Sequence, residues 1–189
     1  MNVAIFTMEF GLNLKRILFV ALLCLLAPRA FMQPLASQAD KRAQSVTQMV
    51  LGILSYARWP VEPEQLQLCI VGATQYTDDL VKGATQATGR LVILRRLLAD
   101  DPEIASTCNA VYIGKLSANE YRQLFTSLIG QSVLSISEGG DQCTVGSLFC
   151  LSVGDEHVSF EVNLDSVARS GVRIHPNVLQ LSRRRAPSS

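Results

Sequence analysis

Apolar side chains recur along the chain with two periods, one typical of helices and one typical of strands. An apolar face at helical spacing predicts a first helix over residues 41–58, formed by Ala43, Val46, Val50, Ile53, Leu54 and Ala57. Apolar runs predict strands at 66–71, 91–94, 109–113 and 131–137. Capping residues predict helices over 77–87 and 120–128, the second opening with the capping box from Ser117 to Glu120. This alternation predicts an α/β fold, a flavodoxin-like or Rossmann-like, mostly parallel sheet flanked by helices.

The pattern changes to strict alternation near the C-terminus. Residues 148–153 and 157–164 flank the turn residues Gly154-Asp155-Glu156 and predict an antiparallel hairpin. Asp165 is placed to cap a short helix over 166–170, Gly171 to end it, and a last helix is expected over 177–183. A C-terminal hairpin with short helices therefore completes the predicted domain.

The first 39 residues have the pattern of an export signal. Lys15 and Arg16 precede an uncharged apolar run at 17–27, and small residues at 37 and 39 suit cleavage after Ala39. The run is too short for a membrane-spanning helix, which needs roughly twenty residues. We therefore expect a signal peptide at 1–39 and a single periplasmic α/β domain at 40–189. A retained anchor is the alternative, and Met8 is an alternative start.

The charge of the exported part excludes one class of partner. Of 17 basic and 16 acidic side chains, three basic and one acidic lie in residues 1–39, which leaves 14 and 15. A nearly neutral chain lacks the basic face that nucleic-acid binding requires. We therefore expect no nucleic-acid partner.

Four cysteines remain after residue 39, an even number that predicts two disulfides in an oxidising compartment. Three pairings are open. A flavodoxin-like order makes the first and third strands neighbours, which favours Cys69 with Cys108 and leaves Cys143 with Cys150. Metal binding is the weaker alternative, because no CxxC motif is present and neither histidine has ligand spacing to the thiols.

No catalytic motif is recognisable in the sequence. It contains no nucleophile elbow, phosphate-binding glycine loop or paired-thiol redox motif, so we predict no catalytic residue, no cofactor, no metal and no enzymatic activity. Glu161 lies in the last strand among alternating apolar residues, and Arg173 and His175 follow the short helix. With Arg58 at the end of the first helix, these residues predict a polar ligand pocket. The alternative is that Glu161 is an exposed strand carboxylate.

Six segments together resemble the YfiR family of periplasmic proteins, over nearly the whole exported part. They are ILSYARWP at 53–60, LCIVG at 68–72, CNAVY at 108–112, VLSIS at 133–137, VSFEVNL at 158–164 and ARSGV at 168–172. The resemblance implies a repressor of cyclic-di-GMP signalling. In that scheme the protein binds the periplasmic domain of an inner-membrane diguanylate cyclase, YfiN, and holds it inactive. An outer-membrane OmpA-type lipoprotein, YfiB, sequesters the repressor, and biofilm formation is the output.

Such a repressor needs a protein-binding surface, and a homodimer is a further expectation. We predict that the surface combines Phe149, Glu161 and Val167, with Phe149 as a rigid aromatic anchor. The alternative for Phe149 is an ordinary core position. The alternative for the whole protein is a periplasmic small-molecule receptor that uses the pocket of Arg58, Glu161, Arg173 and His175.

Overall fold

The computed structural model describes residues 37–139, 146–155 and 157–183, all of which lie in one compact unit at 36–189. The predicted signal peptide lies almost entirely outside the described residues. The helices are α1 Gln38–Tyr56, α2 Glu103–Thr107, α3 Ala118–Ser127, α4 Leu164–Arg169 and α5 Gln180–Arg183, with 3-10 turns at Leu80–Lys82 and Pro176–Leu179. The strands are β1 Ala57–Arg58, β2 Leu66–Val71, β3 Ala84–Thr85, β4 Leu91–Leu97, β5 Ala110–Ile113, β6 Leu134–Ser137, β7 Phe149–Val153, β8 Val158–Val162 and β9 Arg173–Ile174.

Seven of the strands form one sheet in the order β3-β4-β2-β5-β6-β7-β8. The five central strands run parallel, whereas β3 and β8 pair antiparallel with β4 and β7 at the two edges. The parallel strands follow the flavodoxin order, in which the first strand of the sheet lies between the second and the third. The predicted fold class is therefore confirmed, and β1 and β9 form a separate two-stranded pair.

Helix α1 covers one face of the sheet with the apolar side chains that the sequence predicted. Val46, Val50, Ile53 and Leu54 are almost fully buried against side chains from β2, β5, β6, β7 and β8. A capping box between Ser37 and Asp40 begins the helix. A second cluster on the opposite face contains Leu124 and Leu128, contributed by α3 and the residue that follows it. Because β2 is buried on both faces, all of its residues except Gln67 are apolar.

Two local predictions are wrong. The segment predicted as a helix over 77–87 forms only a 3-10 turn and then β3, because Gly83 takes a positive φ of 107° and the chain turns back to pair with β4. The short C-terminal helix is capped by Asn163, whose side chain accepts the backbone N–H of Ser166 at 3.0 Å, instead of by Asp165. In the first place a tertiary pairing with β4 outweighed the local signals, and in the second another residue within the same turn supplied the cap.

The bridge predicted between Cys69 and Cys108 is present, with 5.8 Å between the Cα atoms. It joins β2 to the residue that precedes the neighbouring strand β5 by two positions, and both cysteines lie in the second core cluster. Cys150 is also disulfide-bonded. Its predicted partner Cys143 lies outside the described residues, so that pairing stays a prediction.

Candidate functional site

The predicted partner residues lie in the C-terminal hairpin and the short helix after it. Glu161 is exposed on β8, opposite Cys150 of β7. Its neighbour Phe160 is buried in the cluster under α1, and successive strand residues point to opposite faces. Glu161 therefore projects from the face of the sheet that α1 does not cover.

Phe149 lies in the core of the molecule. Its side chain is fully buried, and its ring meets that of Phe160 edge to face with 5.4 Å between the ring centroids. A partner cannot reach this ring in the conformation described here, so the role of a surface anchor is not supported by its position. Phe149 can influence binding only by positioning β7 and β8. A core position was the alternative for Phe149, and the sequence alone could not show how completely α1 would cover the ring.

Val167 is half-buried on α4 and packs against the core beneath α1. Leu164, in the first turn of the same helix, leaves 75% of its surface exposed. The exposed side chains of this block therefore include Glu161 and Leu164, whereas Val167 packs toward the core, and their role in partner binding stays a prediction.

The three basic residues of the predicted pocket come together around the pair of β1 and β9. Arg58 and Arg173 are opposite each other in this antiparallel pair, so their side chains share a face. The backbone N–H of His175 donates to the carbonyl of Tyr56 at 2.9 Å, and the two rings lie 6.2 Å apart. The Arg58 guanidinium donates to the carbonyls of Ser55 and Ala57 at the end of α1.

Glu161 is not joined to this basic group. Among the residues that the structure describes, no ion pair links its carboxylate to Arg58, Arg173 or His175. The two guanidinium groups consequently form a positive patch suited to an anion or an acidic side chain, while Nδ1 of His175 accepts the backbone N–H of Asn177. The four-residue pocket stays a prediction.

A half-buried carboxylate that the sequence analysis did not single out lies directly after β6. Glu138 accepts the backbone N–H groups of Gln75 and Tyr76 at 2.8–2.9 Å and the hydroxyl of Tyr112 at 3.0 Å. It thereby ties the loop after β2 to the centre of the sheet. Burial raises the pKa of the Glu138 carboxyl, against the hydrogen bonds from Gln75 and Tyr76, which lower it. The sequence offered one signal for Glu138, which is its position directly after a buried strand.

Glu138 lines a cavity of about 570 Å³ at the carboxyl ends of the parallel strands. The loops after β2, β5 and β6 form most of its wall, and Lys115 supplies a positive charge. Gly114 permits the close approach of two of these loops, since a Cβ there would lie 2.1 Å from the Ala73 carbonyl oxygen. Open α/β sheets bind ligands at this edge, where the strand order reverses. The cavity could therefore hold a small polar molecule.

Comparison with protein-family models places the fold and these residues in a known group. Residues 43–183 match the model of the YfiR/HmsC-like family. The chain belongs to this family. YfiR-family proteins are periplasmic regulators, and the matched range includes every residue of the predicted partner surface and pocket.

One observation agrees with the periplasmic location of the YfiR family. The bridge between Cys69 and Cys108 fits an oxidising compartment. Within the described residues, no helix is both long enough and apolar enough to cross a membrane. Nor do three or more potential metal-ligating side chains cluster in that part of the chain.

Proposed function

We propose that this YfiR-family chain is a periplasmic repressor that binds the periplasmic domain of a YfiN-like membrane diguanylate cyclase. It lowers cyclic-di-GMP and restrains biofilm formation. The observation that carries the proposal is the family match over residues 43–183. An outer-membrane, OmpA-type lipoprotein of the YfiB kind relieves repression by sequestering the protein, and the repressor acts as a homodimer.

This role requires differential binding and no bond-making chemistry. A repressor shifts its target toward the inactive state only to the extent that it binds that state more tightly. Moving a two-state equilibrium from 1:99 to 99:1 requires a difference of about 10⁴ in affinity. Such a difference is within the reach of a surface with a few well-buried contacts.

The C-terminal block offers two chemically different parts of such a surface. Leu164 provides exposed apolar area beside the exposed carboxylate of Glu161. Arg58 and Arg173 provide positive charge at the pair of β1 and β9. We infer that the basic patch receives acidic side chains of a partner, because guanidinium groups bind carboxylates with two parallel hydrogen bonds.

The test is a binding titration between the exported protein and the purified periplasmic domain of the cyclase. Glu161→Gln and Arg173→Gln should each weaken binding, more at low than at high ionic strength, because the interactions are between charged groups. Glu64→Gln, at an exposed glutamate outside the block, is the matched control and should leave affinity unchanged.

Two results would contradict the proposal at different levels. Absence of any complex would remove the repressor role itself. If a complex forms and neither substitution changes its affinity at any salt concentration, the repressor role stands but the C-terminal block is not part of the interface. Sedimentation of the free protein at several concentrations tests the homodimer separately.

A small-molecule receptor is a second candidate function, favoured by the cavity at the carboxyl ends of the strands. A receptor would show ligand-dependent melting in the absence of any protein partner. Glu138→Gln should alter that response if the cavity is the site, and Arg173→Gln should alter it if the basic patch is the site.

A further inference from the structure

A second cavity, distinct from the C-terminal surface and from the strand-end cavity, is an apolar groove of about 490 Å³. We name it the α3–α4 groove, since its wall is formed by α3, the segment after α3, and α4. The buried side chains of Leu128, Val133 and Leu148 line it, together with the ring of Phe125. Ile129 continues this apolar surface outward with 76% of its area exposed.

Ser166 contributes an unused hydroxyl to the α3–α4 groove. Its residue is 5% exposed, and its Oγ has no hydrogen-bond partner among the described residues. The other hydroxyls of the lining are all hydrogen-bonded. That of Ser135 accepts the backbone N–H of Leu148, those of Ser170 and Thr126 donate to the carbonyls of Val167 and Arg122, and that of Tyr121 is bonded to the Ser147 hydroxyl. A buried hydroxyl without a partner is costly, so a ligand atom that accepts or donates there would be bound favourably.

Two arginines, Arg122 and Arg169, lie at the same groove. Neither forms an ion pair within the described residues, whereas Arg42, Arg90 and Arg95 are each paired with a carboxylate. The only hydrogen bond of the Arg122 guanidinium in that part of the chain is a long one, 3.5 Å to the side chain of Asn119. Two guanidinium groups without acidic partners beside an apolar groove form a site for a molecule with one anionic end.

We propose that the α3–α4 groove binds a small apolar carboxylate, a molecule with a hydrocarbon body and a single anionic head. The hydrocarbon body lies along Leu128, Val133 and Leu148 and removes apolar surface from water. The carboxylate lies at Arg122 and Arg169, and the Ser166 hydroxyl donates to it. The groove lining shares no residue with the proposed repressor surface of Glu161, Leu164 and Val167 or with Arg58 and Arg173, although α4 contributes residues to both the groove and that surface.

The test compares octanoate with 1-octanol, which has the same chain and no charge, by calorimetric titration of the exported protein. We expect saturable binding of octanoate with one site per chain, and weaker binding of the alcohol. The double variant Arg122→Gln, Arg169→Gln should weaken octanoate binding about tenfold while changing octanol binding little. Arg95→Gln, an arginine outside the groove, is the matched control.

Ser166→Ala separates ligand binding from a structural role. Removing an unpartnered buried hydroxyl should raise the melting temperature of the free protein. The proposal adds that octanoate affinity falls in the same variant by about fivefold. Unchanged affinity in both the arginine and the serine variants would overturn the proposal, as would equal binding of octanoate and octanol or no saturable binding up to ~1 mM.

Discussion

The bridge between Cys69 and Cys108 should be a major contributor to the stability of this domain. The two cysteines are 39 residues apart, and the enclosed segment contains β3, β4 and α2. Loop-closure entropy for that separation corresponds to about 4 kcal/mol at 25 °C. Since single domains are stable by only about 5–15 kcal/mol, replacing both cysteines by alanine should remove a large fraction of the free energy of unfolding.

Urea denaturation of the exported protein measures this loss. With an m value of ~2 kcal/mol/M, a loss of about 4 kcal/mol moves the unfolding midpoint by about 2 M. The comparison variant replaces Cys143 and Cys150, whose predicted bridge encloses a much shorter loop and should contribute about 2.5 kcal/mol. Both variants avoid free thiols at the altered positions, so exchange cannot confuse the comparison.

The reasoning fails if the Cys69 and Cys108 variant loses less than about 1 kcal/mol at an unchanged m value. It also fails if the shorter predicted bridge contributes more than the longer one. Either result would mean that the segment between β2 and β5 is already restricted in the unfolded chain, so that the bridge removes little of its entropy.

Three further predictions follow from single positions. Phe149→Ala should lower the free energy of unfolding by about 3–5 kcal/mol because the ring is fully buried, and thermal melting measures this loss. A variant that melts normally but loses partner binding would show that the ring belongs to the interface. Glu138 should titrate above the ~4.3 typical of glutamate in an NMR pH titration. Because the folded state holds this proton more tightly than the unfolded state, the contribution of Glu138 to the free energy of unfolding should rise as the pH falls from above its folded pKa to its unfolded pKa. Glu138→Gln should remove this pH dependence. A titration midpoint at or below the ordinary glutamate value would contradict the prediction. Export predicts that the mature chain begins at Asp40, and intact-mass measurement of periplasmic protein that retained Ser37 would refute that cleavage point.

Much of the sheet could be predicted because each strand is apolar enough to be recognised from its own residues, without knowledge of its tertiary contacts. The run at Leu66–Val71 and the alternation in Val158–Val162 each gave a strand at its observed place. The capping box of Ser117 and Glu120 located α3 for the same reason, since both partners lie within one turn. The segment after Thr77 was wrong because pairing with β4, a long-range contact, outweighed local capping signals.

The site was harder to predict because it depends on which side chains meet. Arg58 and Arg173 are 115 positions apart in sequence, and their pairing follows from β1 meeting β9. Glu138 could have been noticed as a carboxylate ending a buried strand, but its donors Gln75 and Tyr76 come from a loop without a pattern. Complete burial of Phe149 depends on α1, about a hundred residues earlier in the chain.

Cellular cyclic-di-GMP in a strain lacking this gene tests the central claim most directly. The proposed repressor role predicts that the nucleotide rises when the gene is deleted and returns to its initial level when the exported protein is restored. It also predicts no rise when the gene for the partner cyclase is deleted as well. An unchanged level in the single deletion, or an equal rise in the double deletion, would contradict repression of that cyclase.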